Sequence, residues 1–135
     1  MNGLHHVHLF ASDLATSVAW YRDMLGGEVA FDGEFGGGRN VFLRLGRGRG
    51  RLHLYDQPPR GDTTGAVHHL GYQSDDLAGL VAELRQKGVA FRGDIHDFGF
   101  WRYIMCPAPD GVLLELFEFD EEELPAQLAA YFEGE

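Results

Sequence analysis

The chain repeats itself. Leu4-His5-His6-Val7-His8-Leu9 leads into Ser12-Asp13-Leu14-Ala15, and Val67-His68-His69-Leu70-Gly71-Tyr72 leads into Asp75-Asp76-Leu77-Ala78. His6 stands seven residues before Asp13 and His69 seven before Asp76, so one offset of 63 runs through a strand and into the helix after it. Such a duplication constrains the fold strongly, because each copy is too small to bury its own apolar face well. A histidine at one register of both copies suggests a metal held between the halves of a pseudo-symmetric sheet.

Each copy reads as βαβββ. The first strand, about Leu4 to Ala11, alternates so that Leu4, His6, His8 and Phe10 share one face and His5, Val7, Leu9 and Ala11 the other. Ser12 or Asp13 then caps a helix with the apolar stripe Leu14, Val18, Tyr21 and Leu25, ended by Gly26-Gly27. Strands are expected near Glu28–Asp32, Asn40–Leu45 and Arg51–Tyr55, with glycine-rich turns between them. Gln57–Gly65 is rich in breakers and forms the linker. The second copy supplies a strand at Val67–Tyr72 and a helix from about Asp76 to Lys87, with Leu77, Leu80, Val81 and Leu84 inward and Gly88 after it. Its further strands fall near Val89–Arg92, Trp101–Cys106 and Val112–Phe119, the last two joined through Pro109-Asp110-Gly111.

The expected organisation is one domain over residues 1–135. Module one covers about 4–57, the linker 57–66 and module two about 67–119. An acidic helical tail follows over 120–135, built round Leu124, Leu128 and Phe132. The fold class is α+β, two paired βαβββ modules forming a curled mixed sheet with a concave metal-binding cup.

Composition narrows the partners. A net charge of −10 disfavours nucleic acid and anionic membranes. No apolar run approaches the length of a membrane span, and Met1-Asn2-Gly3 runs straight into a patterned strand without a signal peptide. Cys106 is the single cysteine and fits a reducing compartment. A cytoplasmic protein acting on a small molecule is the expectation.

The chemistry lies where the repeat matches across its final strands. Arg51-Leu52-His53-Leu54-Tyr55 aligns with Leu113-Leu114-Glu115-Leu116-Phe117, which sets His53 against Glu115. The leucines should meet the helices, leaving His6, His53, His69 and Glu115 on the face that no helix covers. An ionised glutamate among four apolar neighbours is costly unless something pairs with it, and a divalent cation bound by imidazoles and that carboxylate would satisfy all of them. Fe, Zn, Ni, Co and Mn all suit such donors, so ligand type does not choose the metal. His53 could equally bind substrate.

Through these motifs the chain resembles the vicinal oxygen chelate proteins. The resemblance rests on His6-Val7 through Ser12-Asp13-Leu14 and Trp20-Tyr21-Arg22-Asp23-Met24-Leu25-Gly26. It continues in His69-Leu70-Gly71-Tyr72 through Asp76-Leu77, and in Pro109-Asp110-Gly111-Val112-Leu113-Leu114-Glu115-Leu116. That family includes glyoxalase I, fosfomycin-resistance thiol transferases, methylmalonyl-CoA epimerase, extradiol dioxygenases and metal-free bleomycin-binding proteins. The resemblance implies ligands at His6, His69 and Glu115, and modules often exchanged or paired across a homodimer. Glyoxalase I-like members usually carry glutamate where His53 stands, and epimerases glutamine.

The function expected is therefore metal-dependent, glyoxalase-like isomerase or lyase chemistry on a small oxygen-chelating substrate through an enolate-like intermediate. Glu115 or His53 would shuttle the proton. An Fe(II)-dependent extradiol-type dioxygenase is the first alternative, and a metal-free drug- or metabolite-binding protein the second. His8, Arg51, Tyr55 and Arg102 are candidate substrate contacts. The basic hairpin Arg44, Arg47, Arg49 and Arg51 reads as a solvated edge. His5 and His68, on the opposite strand face by alternation, read as structural. Phe98, Phe100, Trp101 and Tyr103, with His96, read as core or dimer contacts or a closing loop.

Overall fold

The computed structural model describes residues 1, 5–47, 50–59, 67–126 and 128–129. The first module forms β1 (Val7–Ala11), α1 (Leu14–Leu25), β2 (Glu28–Phe35), β3 (Gly38–Leu45) and β4 (Gly50–Asp56). The second forms β5 (Leu70–Gln73), α2 (Leu77–Gln86), β6 (His96–Asp97), β7 (Trp101–Pro107) and β8 (Leu113–Phe119). Both modules are βαβββ, and each makes a four-stranded mixed sheet of the same order: β1-β4-β3-β2 and β5-β8-β7-β6. In each, the first and last strands pair in parallel and the others antiparallel. The chain divides into two compact units on this plan, with Ala108–Gly111 belonging to the first.

Matching caps start the two helices. Asp13 accepts the Thr16 N–H at 3.0 Å, and Asp76, 63 residues on, accepts the Gly79 N–H at 3.0 Å. Each satisfies an N–H that the helix itself leaves unpaired, a contribution of about 1 kcal/mol. Gly26 then ends α1 in the left-handed conformation, φ 67°, which a residue with a Cβ adopts only at a cost.

Burial follows the two periodicities. Ala11, Leu14, Tyr21, Val41, Leu43, Leu52 and Leu54 form the core of the first unit, with Val7, Leu9, Val18 and Leu25 packed against it. In the second, Leu77, Val81 and Leu84 of α2 are buried, as are Ile104 and Cys106 of β7 and Leu114 and Leu116 of β8. Helix α1 lies against β4 and α2 against β8. Cys106 is fully buried, and burial pushes its thiol up to about 11. Native protein at pH 8 should accordingly resist a thiol-reactive disulfide reagent and react fully in denaturant; fast native labelling would refute that placement.

The structure departs from the sequence expectation in three places. Strand β1 begins at Val7 and β5 at Leu70, so His5, His6, His68 and His69 precede their strands. No strand forms over Val89–Arg92. There the Val89 N–H is taken by the Leu84 carbonyl and Arg85 holds Gly93 and Asp94, so the chain turns until the short β6. Trp101 and Tyr103 stand in β7, within the strand expected at Trp101–Cys106, and Phe98 in the turn of the β6–β7 hairpin. The tail does not start as a helix at residue 120. Glu122 and Glu123 fold back on Asp120, and helical bonding begins only at Pro125. Leu4, Arg49, residues 60–66 of the linker and the tail beyond 129 lie outside the described residues. Among the described residues, no helix is long and apolar enough to cross a membrane.

Candidate metal centre

The two modules set their donors at one register. Val7 pairs with Leu52 and Leu70 with Leu114; one step on, His8 pairs with His53 and Gly71 with Glu115. Leu52, Leu54, Leu114 and Leu116 are buried with their helices. A strand alternates strictly, so His53 and Glu115 must project from the opposite face of their sheets.

In the first unit His53 is the middle ring of a column. Phe42 stacks on one side at 3.6 Å and 13°, and His6 on the other at 3.8 Å and 14°. His5 approaches edge-on, its Nδ1 3.0 Å from the Nδ1 of His6. One ligand atom from each of His5, His6 and His53 lies within 4.8 Å of the others. Burial, then the neighbouring His6, His8 and His5, hold His53 below the ordinary imidazole pKa. This favours the neutral ring that a metal requires.

In the second unit the donors make a linear network. His69 Nε2 lies 2.9 Å from Glu115 Oε2, and the Trp101 indole N–H donates to Glu115 Oε1 at 3.2 Å. On its other edge His69 Nδ1 lies 2.8 Å from His68 Nδ1. Glu115 retains 16% side-chain exposure against 35% for His69, so its carboxylate is the less hydrated of the two. Trp101 is held flat on Phe117 at 4.5 Å and 9°.

The candidate substrate contacts divide. His8, Arg51 and Tyr55 lie on the His53 face of their sheet, through the pairs His8–His53, Phe10–Tyr55 and Arg44–Arg51. His8 is exposed with its ring 5.8 Å from that of Tyr55. Tyr55 donates to the Gly36 carbonyl and Arg51 to that of Gly50. Arg102 stands apart from these: it pairs across the strands with Glu118, on the face opposite Glu115. Its Nε donates to Glu118 Oε1 at 2.7 Å while Glu118 Oε2 accepts the Leu77 N–H at the start of α2. That role holds helix to sheet. The cavity of about 300 Å³ lined by Arg102, Glu118, Asp75, Asp120 and Glu121 is therefore an acidic recess on the helix side.

His5 completes the cluster with His6 and His53, His68 meets His69 and Trp101 meets Glu115, contacts to which the sequence did not assign these residues. Alternation failed for the two histidines because it was extended past the first residue of each strand. The signal that could have found them is the doublet itself, since His5 and His68 share the offset of 63 with His6 and His69. Each unit by itself offers donors of the kind a divalent transition metal takes: imidazole nitrogens in the first, an imidazole nitrogen and a carboxylate in the second.

The described architecture has known counterparts. The model of the glyoxalase/bleomycin resistance protein/dioxygenase superfamily matches residues 3–116. A comparison with curated proteins returns no match. Among solved structures, the chain is similar to TnmS3, an antibiotic-binding protein from Streptomyces sp. CB03234, with 22% identity and a TM-score of 0.75 over 89% of this chain and 98% of that one. It is also similar to the fosfomycin resistance protein FosX from Listeria monocytogenes, solved with Mn(II) and sulfate (18% identity, TM-score 0.69, 91% of this chain and 97% of that one). A lactoylglutathione lyase from Agrobacterium tumefaciens is similar at 20% identity and a TM-score of 0.63, covering 87% of this chain and 94% of that one.

Proposed function

The chain belongs to the glyoxalase/bleomycin resistance protein/dioxygenase superfamily, and from that premise we propose that it is a divalent-metal enzyme acting on a small oxygen-chelating substrate. His6, His69 and Glu115 are the proposed ligands, with His53 as a fourth ligand or as the residue that meets substrate. One chain, or two copies in a homodimer, would contribute them. The observation that carries this reading is the approach of His69 Nε2 to Glu115 Oε2 at 2.9 Å. Two such groups, one a half-buried carboxylate on a strand of leucines, are the spacing of adjacent ligands as well as of a hydrogen-bonded pair.

A cation held there would supply Lewis acidity toward the substrate oxygens, which suits isomerase or lyase chemistry of enolate-like character. The remaining tasks fall to this chain's own groups. Glu115 Oε1 is oriented by the Trp101 indole, which fixes the direction of the carboxylate. His53, stacked between Phe42 and His6 and biased toward its neutral form, is poised to accept a proton from substrate. His8, Tyr55 and Arg51, on the same sheet face as His53, are the groups placed to orient polar substrate atoms.

Metal content of untagged protein purified without chelators, with anaerobic reconstitution if it arrives empty, tests the proposal. One ion per site, lost in His69→Ala, is the expected result. Iron would direct assays to oxygen uptake with catechols; nickel, cobalt, manganese or zinc to isomerase and lyase panels. Failure to bind any of these metals would overturn the enzyme reading in favour of ligand capture without metal.

A further inference from the structure

We propose that His68 is a positioning residue for His69, setting which ring nitrogen of His69 faces the metal; this rests on the metal-site reading above. His68 Nδ1 and His69 Nδ1 are 2.8 Å apart with their rings at 85°. Two imidazole nitrogens at that distance share one hydrogen, so one ring must donate and the other accept. The same contact recurs in the first module, where His5 Nδ1 and His6 Nδ1 are 3.0 Å apart, again at 85°. Its appearance in both halves ties it to the duplicated doublet rather than to one local accident.

The network around His69 makes the consequence specific. With Nε2 directed at Glu115, the neutral ring carries its hydrogen on Nε2, and Nδ1 accepts from His68. For Nε2 to present a lone pair to a cation, the hydrogen of His69 must sit on Nδ1 instead. It then donates to His68, which carries its own hydrogen on Nε2. Each ring remains neutral with one hydrogen in both arrangements, so the pair changes tautomer without changing its proton count. Histidine serves both because its Nδ1 can donate or accept, whereas a side chain that only donates or only accepts would serve one.

The test is zinc affinity, measured by competition with a chelating indicator, for wild type, His68→Phe and His68→Asn. Phenylalanine keeps the ring but removes the partner, and should weaken binding about tenfold, the lower end for an exposed outer partner. Asparagine, whose amide can turn to accept or donate, should stay within about threefold of wild type. Long-range ¹⁵N–¹H spectra of the zinc form should show His69 protonated at Nδ1. His68→Phe binding as tightly as wild type, or His69 metallated through Nδ1, would overturn this proposal and leave the metal site standing. Wild type binding no zinc, nickel, cobalt, manganese or iron would overturn both.

Discussion

Replacing Glu115 by alanine is expected to lower affinity for zinc, nickel or cobalt at least a hundredfold, while the empty protein keeps its fold. Residues that merely orient a ligand are typically worth ten- to a hundredfold in metal affinity, so the sole carboxylate of the donor set should exceed that range. A hundredfold is about 2.7 kcal/mol of binding free energy. Glu115 supplies the set's only negative charge, and it is more shielded than His69, so water cannot easily replace it. Glutamine should recover part of the loss by keeping the shape and the acceptor for the Trp101 indole, but not the charge. Stability of the empty protein should change by no more than about 1 kcal/mol, because the lost bonds to His69 and Trp101 are offset by relief of a half-buried charge. Paired metal titration and thermal unfolding of the three proteins check both halves. A Glu115→Ala protein that loads metal like wild type would remove Glu115 from the site.

Much of this arrangement is legible in the sequence, because the repeat sets each residue against its counterpart. His53 and Glu115 occupy one register on β4 and β8, and the pairs Val7–Leu52 and Leu70–Leu114 bear out the alignment of the two modules. The helix starts were legible for the same reason: Asp13 is one of the two caps offered for α1, and Asp76 marks the start of α2. What failed was local. The period-2 rule has no force before a strand begins, and His5 and His68 stand there. Val89–Arg92 has strand-like residues, but the Leu84 carbonyl and the Arg85 guanidinium capture the segment in a turn. The bond from Arg102 to Glu118, which ties it to α2, is likewise not specified by the charge of Arg102 in the sequence. Trp101 was legible as part of an aromatic cluster, but no spacing encodes its bond to Glu115 or its stack on Phe117. Such contacts are made after the fold is set, and so a sequence pattern does not carry them.

The sidedness of β8 yields the second large expectation. Leu114→Ala, one residue from Glu115, should cost the empty protein about 3 to 4 kcal/mol. Leu114 is 0% exposed, pairs with Leu70 and Cys106 across the sheet, and lies on the strand that α2 covers. Truncation there removes transfer energy and leaves a cavity that a β-strand, pinned on both edges, cannot collapse to fill. The thermal midpoint should fall by about 10 °C. Metal affinity measured well below that midpoint should stay within about threefold, because the donors project from the other face. Leu114→Ala and Glu115→Ala should thus act in opposite assays although the residues adjoin. A loss of stability below about 1 kcal/mol for Leu114→Ala would contradict the burial of that face. If Leu114→Ala instead stayed folded but lost metal as Glu115→Ala does, the assignment of Glu115 to the open face would fall with it, since only a reversed strand could place Leu114 among the donors.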